Sequence, residues 1–354
     1  MKKYDYGFGG APTLTAYVEE QVRKLKQCEQ TFQSVFEFVF SLDNNVMAEY
    51  TDGNRVYCMT YGECKKRIFA ISGVLTEKLS SLPKNSLVGI YMDNCPEWIQ
   101  IFWALLRSGY VPLLMNKRLN RQMLDEVLAV NNVRAVISDD DAFDVTTFNY
   151  RELCDASAKA AVPEPDWADE IVFMSSGTSL KVKLCVYDGK KICQQLYNSE
   201  NIVQQSKEIQ SHVDGKLKQL TFLPFYHIFG LVAVYLWFAF FSRTFVELKD
   251  MAPQTILNTI RRHKVTHIFA VPMVWESVHR EAERKIRSRS EQTYRRFALF
   301  LKLCNRTGNP GSWLAKRVFR EVRDASFGPS VQCMITGGSA IARETLEFYN
   351  GIGY

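Results

Sequence analysis

The residues best suited to chemistry lie in one polar stretch, Ser175-Ser176-Gly177-Thr178-Ser179-Leu180-Lys181-Val182-Lys183. Hydroxyl side chains surround a glycine, and lysine follows. Such a loop presents backbone N–H groups, hydroxyls and a cation to phosphate oxygens. A polar turn between two strands explains the same residues equally well. Two further segments invite the same question. Phe225-Tyr226-His227-Ile228-Phe229-Gly230 follows an extended run ending at Pro224, and a histidine just past a strand stands where α/β sheets hold ligands. On local sequence alone, a histidine satisfied in the core is the favoured reading of His227. Thr336-Gly337-Gly338-Ser339-Ala340 follows the strand-like Val331–Ile335. Paired glycines let a ligand approach the backbone, but alone they specify no ligand.

The elements that would position these loops alternate. Arg55–Met59 reads as a short strand, and Thr60 with Glu63 forms a capping-box pattern. The helix that follows places Ile68, Ile71, Leu75 and Leu79 on one face and should end near Leu82-Pro83. Leu87–Met92 is a continuous apolar run, as in a strand covered on both faces. Asp93 or Asn94 is expected to cap the next helix, with Pro96 in its first turn and Gly109 at its end. Val111–Leu114, a helix from Asn120 to Val130, and Arg134–Ser138 continue the alternation. It predicts a parallel sheet with helices on both faces.

Earlier, helices are expected over Thr15–Cys28 and Thr31–Phe40. The acidic, then Ala- and Pro-rich residues 138–169 read as a surface connection between subdomains. Leu184–Tyr187 then completes a hairpin around the polar loop. A helix over 189–210 should bury Ile192, Leu196, Ile202 and Val203. The run 231–241 reads as a buried helix, too short to cross a bilayer. Strands are expected at Leu220–Pro224, Phe245–Leu248 and Val265–Pro272, with a helix over 253–263.

Arg280 to Arg323 is rich in arginine and lysine, with Phe297, Leu299, Phe300, Leu303, Leu314, Val318 and Phe319 on its apolar side. A break at Gly308-Asn309-Pro310-Gly311 predicts a helical hairpin. A solvated cationic face is the favoured reading; peripheral contact with an anionic membrane is the alternative.

Composition narrows the class. The chain has 354 residues, 47% hydrophobic and 23% charged, the profile of an ordinary globular protein with room for subdomains. A net charge of +6 is modest, and the basic residues are not interleaved with aromatics, so nucleic acid is not an expected partner. Nine scattered cysteines without a C-x-x-C pair, and five histidines lying mostly apart, argue against a zinc site and fit a reducing, cytoplasmic setting. Tyr4-Asp5-Tyr6-Gly7 supplies no apolar core for a signal peptide.

The order of these features resembles the adenylate-forming superfamily of acyl-CoA synthetases, peptide-synthetase adenylation domains and luciferases. Thr60-Tyr61-Gly62-Glu63 looks like its T-Y-x-E helix start. Asn94-Cys95-Pro96-Glu97-Trp98 and Leu106-Arg107-Ser108-Gly109-Tyr110-Val111-Pro112-Leu113 look like its N-x-P-E-W and R-x-G-x-V-x-P-L stretches. Ser175–Lys183 stands at the place of its phosphate loop, Leu223–Gly230 at its P-x-x-H-x-x-G segment, and Val271-Pro272 and Thr336–Ala340 at later landmarks. The resemblance runs from about residue 30 to the end, and the basic insert of about 280–325 is most like long-chain fatty acyl-CoA synthetases.

This resemblance implies stacked, mostly parallel β-sheets flanked by helices: a large AMP-binding domain over 31–354, incomplete at its C-terminus, after an extension over 1–30. A subdomain boundary falls near 155–169. It implies activation of a carboxylic, expectedly fatty, acid by ATP and Mg²⁺, for transfer to CoA or an acyl-carrier protein. Lys183 and His227 would be catalytic. Ser175, Ser176, Gly177, Thr178, Ser179 and Lys183 would hold phosphates, and Gly337, Gly338, Ser339 and Ala340 would lie along the adenine and acyl carbonyl. The apolar helix after Gly230, with Val271–Trp275, would wall an acyl tunnel.

Two departures qualify that expectation. Leu180, Val182 and Leu184 replace the family's glycine, proline and glycine around Lys183; a glycine reaches positive φ where leucine does so at a cost. The chain also ends at Asn350–Tyr354, before the family's G-Y-G-x-T-E motif, its metal-binding glutamate and its small lid domain. Little or no turnover is expected of this chain by itself. A non-catalytic acyl or nucleotide binder is the alternative, and an α/β scaffold with a membrane-facing hairpin is the third reading.

Overall fold

The computed structural model describes residues 4–139, 143–157, 160–175, 182–205, 217–306 and 313–354, with 202, 203, 313 and 325 described through their backbone only. In chain order the strands are β1 (Val46–Asp52), β2 (Arg55–Thr60), β3 (Leu87–Tyr91), β4 (Val111–Leu114), β5 (Ala135–Ser138) and β6 (Thr146–Asn149). They continue as β7 (Glu170–Ser175), β8 (Lys183–Asp188), β9 (Lys218–Thr221), β10 (Thr244–Glu247), β11 (His267–Ala270) and β12 (Cys333–Thr336). The chain divides into two compact units, Met1–Lys216 with Leu223–Glu247, and Leu217–Phe222 with Leu248–Tyr354.

The first unit carries a six-stranded sheet in the order β6-β5-β3-β4-β7-β8. All its neighbours run parallel except β8, which returns antiparallel to β7. β3, β4 and β5 are largely or wholly buried, because helices cover both faces. In the same unit β1 pairs antiparallel with β2 and parallel with β10. β1 was not expected: the alternation of its Val46-Met47-Ala48-Glu49-Tyr50 is broken by a buried glutamate.

The helix Pro96–Arg107 is the core of this unit, buried without interruption from Trp98 to Arg107. Trp103 donates from Nε1 to the Tyr235 hydroxyl at 2.8 Å and lies against the rings of Phe32, Phe36 and Phe40. Its last residue, Arg107, is buried yet satisfied: one guanidinium nitrogen donates to Ser72 Oγ and another to the Pro163 carbonyl, each at 2.8 Å. Helix Tyr61–Lys78 begins with the expected box, Thr60 Oγ1 accepting from Glu63 N and Glu63 Oε2 accepting from Thr60 N. Ile68, Ile71, Leu75 and Leu79 are buried as expected, although the helix stops at Lys78.

Two local expectations are corrected here. Neither Asp93 nor Asn94 caps helix Pro96–Arg107; its N-cap is Cys95, which makes no side-chain capping bond. Residues 138–169 are not only a connection, since they hold β6, parallel to β5, and a short helix Tyr150–Ala156. β6 reads Thr-Thr-Phe-Asn and is polar and partly exposed because it forms the sheet edge. Helix Gly189–Gln205 buries Ile192 and Leu196; the side chains of Ile202 and Val203, and residues 206–210, lie outside the described residues.

The second unit holds β9, β11 and β12, parallel in the order β12-β11-β9. Its helices are Pro253–His263, Pro272–Arg289, Glu291–Arg306, Trp313–Val318, Arg320–Ala325 and Arg343–Ile352. The basic stretch turns first at Ser290, whose Oγ accepts from Thr293 N at 3.0 Å and starts the next helix. The break expected at 308–311 lies outside the described residues. Phe297 packs on Phe319 and Phe348. Leu299, Phe300, Leu303, Leu314 and Val318 are exposed rather than packed inward.

Candidate functional site

The carboxyl ends of the parallel strands β3, β4, β5 and β7 gather polar residues on one edge of the first unit's sheet, the place where open α/β sheets hold ligands. β7 delivers Ser175 as its last residue. Ser175 is paired directly with Lys183, the first residue of β8, at the end of the hairpin ladder. The two expected phosphate-loop residues that bracket the tip are therefore brought together, with the Lys183 side chain exposed. Ser176, Gly177, Thr178 and Ser179, with Leu180 and Lys181, lie outside the described residues.

The two described departures from the family pattern, Val182 and Leu184, do not strain the backbone. Leu184 is a regular ladder residue opposite Met174. Neither it nor Val182 is among the residues with positive φ. Glycine's freedom is therefore not needed at Leu184.

After β3 comes Asn94, which sequence reasoning assigned to a helix cap. Its side chain instead reaches the histidine segment, donating from Nδ2 to the Leu223 carbonyl at 2.7 Å and accepting at Oδ1 from Phe225 N at 2.9 Å. One amide thus satisfies a carbonyl and an N–H of a strand-less turn and fixes the segment that leads into His227. The turn then closes through His227 N donating to the Pro224 carbonyl at 3.1 Å.

His227 is exposed, and its Nδ1 accepts from Phe229 N at 3.3 Å. That bond requires Nδ1 to be unprotonated, so neutral His227 carries its hydrogen on Nε2. Desolvation by surrounding atoms, and then the charge of Arg118, push its pKa below the ordinary imidazole value. The same Arg118 hydrogen-bonds the Tyr226 side chain, whose pKa is raised chiefly by burial.

Arg118 follows β4, as does Lys117, which sequence reasoning also passed over. Lys117 Nζ bridges Asp139, after β5, at 2.8 Å and Asp93, after β3, at 3.1 Å. Partial burial works against its charge, but the hydrogen bonds it donates to Asp139 and Asp93 outweigh that and raise its pKa. The pair Lys117-Arg118 was legible only as charge after a strand; its partners sit on two other strands.

The apolar element after His227 begins with π-helical winding over Phe229–Leu236, Trp237 N bonding Val232 O five residues back. Trp237–Phe240 continues as α-helix. Such winding is uncommon and recurs at functional sites. Gly230 is required there: a Cβ would lie 2.1 Å from the Pro224 carbonyl oxygen. Much of this helix is spent on the core of its own unit, through Tyr235 against Phe225 and Phe245 and Phe240 against Phe38.

In the second unit, Gly337, Gly338, Ser339 and Ala340 follow the carboxyl end of β12, with Gly337 N bonded to the Ala270 carbonyl at the end of β11. Gly338 has φ +91°, a conformation side chains rarely adopt, and a Cβ there would meet Val271 at 3.8 Å. Gly338, Ser339 and Ala340 are exposed. Immediately before them the Thr336 hydroxyl is buried without a hydrogen-bond partner. Gly337 and Gly338 carry no side chains, so the backbone beside this hydroxyl is open to close approach. For a metal the fit differs: no group of three His, Cys, Asp or Glu side chains that could hold an ion occurs among the described residues.

Mostly parallel sheets flanked by helices, with polar loops at the strands' carboxyl ends, define the class as the large domain of an adenylate-forming enzyme. A family model described as AMP-binding enzyme matches residues 44–353, and the chain belongs to that family. It is 22% identical over 342 residues to the long-chain-fatty-acid–CoA ligase heimdall of Drosophila melanogaster, covering 83% of this chain and 50% of that protein. It is 24% identical over 237 residues to a 4-chlorobenzoate–CoA ligase of an Arthrobacter species, covering 62% of this chain and 44% of that protein.

Solved structures agree in fold. The o-succinylbenzoate CoA synthetase MenE of Bacillus subtilis, in complex with its acyl-adenylate intermediate, aligns with TM-score 0.63 at 18% identity over 89% of this chain and 55% of that one. The N-terminal subdomain of Klebsiella oxytoca NpsA aligns with TM-score 0.62 at 16% identity over 91% of this chain and 72% of that one. The chain spans about half the length of the curated relatives it matches.

Proposed function

We propose that this chain is the nucleotide- and acyl-binding large domain of an acid–thiol ligase that activates a fatty acid as its acyl-adenylate. The observation that carries the reading is the pairing of Ser175 with Lys183 at the carboxyl edge of a family-defining sheet. A carboxylate oxygen attacks the α-phosphorus of ATP, and the bond to the bridging oxygen breaks to release pyrophosphate. A CoA or carrier-protein thiolate then attacks the acyl carbonyl and releases AMP. Negative charge accumulates on the departing phosphates, and a cation held at the mouth of the hairpin offsets it.

In this reading the exposed Lys183 ammonium supplies that cation, and Ser175 with Ser176, Gly177, Thr178 and Ser179 supplies hydroxyl and backbone donors. Neutral His227 presents Nε2–H at the border of the acyl site, with Asn94 as its positioning residue. Gly337, Gly338, Ser339 and Ala340 lie along the base and the acyl carbonyl, and the Thr336 hydroxyl finds its partner there. Family membership implies Mg²⁺; no group of three His, Cys, Asp or Glu side chains that could hold an ion occurs among the described residues, and no step here depends on where it binds. The relatives include a fatty-acid ligase and a chlorobenzoate ligase at similarly low identity, and the choice of a fatty acid rests on the resemblance of the basic insert over about 280–325.

Pyrophosphate exchange with a panel of acids tests the reading, on the protein as expressed from its gene and on its Lys183→Ala variant. Exchange with fatty acids, lowered by the substitution by on the order of a hundredfold, is the expected result. Equal exchange in both removes Lys183 from the phosphate site. A second reading, a non-catalytic binder, rests on Leu180 in place of glycine. It predicts nucleotide binding without exchange.

A further inference from the structure

The strongest unexplained feature lies in the second unit. Leu299, Phe300 and Leu303 on helix Glu291–Arg306 are 59%, 46% and 47% exposed, and Leu314 and Val318 on helix Trp313–Val318 are 44% and 43% exposed. Spacings of one, three and four residues put the first three on a single helix face. The packed side of the helix carries Phe297, which lies on Phe319 and Phe348, and buried Cys304. Large apolar side chains concentrated on an exposed face mark an interaction surface.

Charge indicates what covers it. Arg295, Arg296, Lys302 and Arg306 each stand three or four residues from one of the three apolar side chains, and Lys316 and Arg317 lie between Leu314 and Val318. Glu291 is the one acid of helix Glu291–Arg306, and its 3.7 Å pair with Arg295 is between largely exposed groups, so it neutralises little. Arg296, Lys302, Lys316 and Arg317 have no ion-pair partner among the described residues.

We propose that this face docks on the surface of an anionic phospholipid bilayer. Leu299, Phe300 and Leu303 enter the boundary between headgroups and acyl chains, and the surrounding arginines and lysines meet lipid phosphates. A second copy of the chain is a poor occupant, because the same basic residues would face each other across the contact. Nucleic acid has no use for an exposed stripe of leucine and phenylalanine in a helix. The proposal does not depend on the ligase reading. Combined with that reading, it would set the domain at the surface where its substrate partitions.

The test is co-sedimentation of the chain with vesicles of phosphatidylcholine alone and of phosphatidylcholine mixed with phosphatidylserine, at rising salt. The expected result is binding to the mixed vesicles that weakens as salt screens it, and little on phosphatidylcholine alone. Binding should fall roughly fivefold for each of Arg296→Gln, Lys302→Gln and Lys316→Gln. Leu299→Ser with Leu303→Ser should lower it several-fold while leaving the melting temperature unchanged, since both side chains are exposed. Absence of binding overturns the proposal, as does equal binding to both vesicle types or binding indifferent to all five substitutions. A change of oligomeric state on Leu299→Ser with Leu303→Ser, without vesicle binding, assigns the face to a second copy instead.

Discussion

At the scale of single residues, His227 makes the sharpest claim. Its surroundings favour the neutral form, desolvation by neighbouring atoms first and the charge of Arg118 second. Its titration midpoint in the folded chain, followed by NMR, is expected below 6.5. Arg118→Met should raise it but leave it below 6.5, because the larger cause remains. A midpoint at or above 6.5 in the wild type would falsify the arrangement. The linkage to stability has a definite sign. The unfolded chain takes up this proton before the folded one as the pH falls, so the contribution is complete above 6.5 and is lost as the pH drops through the folded value. His227→Gln should therefore make the urea midpoint less sensitive to acid in that window. A variant as acid-sensitive as the wild type would mean other groups dominate.

The elements show what can be read from a chain and what cannot. Thr60 and Glu63 were legible because a capping box is local, its partners three residues apart. Asn94 was misread because a cap is the local explanation for an asparagine before a proline helix, whereas its actual partners are Leu223 and Phe225. Distance along the chain, not residue type, hid it. The same holds for Lys117, whose role is set by carboxylates after two other strands. β6 was missed because an edge strand need not be apolar. The turn at Ser290 contains neither glycine nor proline and so carries no local break signal.

Two substitutions test this scale. Asn94→Ala leaves the Leu223 carbonyl and Phe225 N–H without partners, and should cost ~1–3 kcal/mol in urea unfolding. Asn94→Asp, which keeps the acceptor and loses the donor, should fall between the wild type and Asn94→Ala. Gly230→Ala puts a methyl group 2.1 Å from the Pro224 oxygen, and the forced shift should cost about 1–3 kcal/mol. A Gly230→Ala chain as stable as the wild type would show that the turn before the π-helical segment is not held tightly.

At the scale of the whole molecule, the order of motifs carried more than any motif did. The polar loop alone was as good a turn as a site; its place between landmarks spread from Thr60 to Ala340 identified the family, and the match over 44–353 bears that out. Sequence order could not show how the chain divides into compact units. Ser175, Lys183 and His227 belong to one compact unit and Gly337–Ala340 to the other. A ligand that binds only the folded chain stabilises it by mass action, roughly 2.7 kcal/mol at a hundredfold excess over its dissociation constant. A non-hydrolysable fatty acyl-adenylate analogue should therefore raise the melting temperature more than AMP does, and a benzoyl analogue should raise it less. Lys183→Ala should diminish the shift caused by ATP and leave that of the acyl-adenylate analogue intact, because the analogue lacks the phosphates that Lys183 is proposed to hold. Equal loss for both ligands would move Lys183 from the pyrophosphate side to the shared adenylate. A benzoyl analogue that stabilises more than the fatty one would transfer the substrate from the fatty to the aromatic acids.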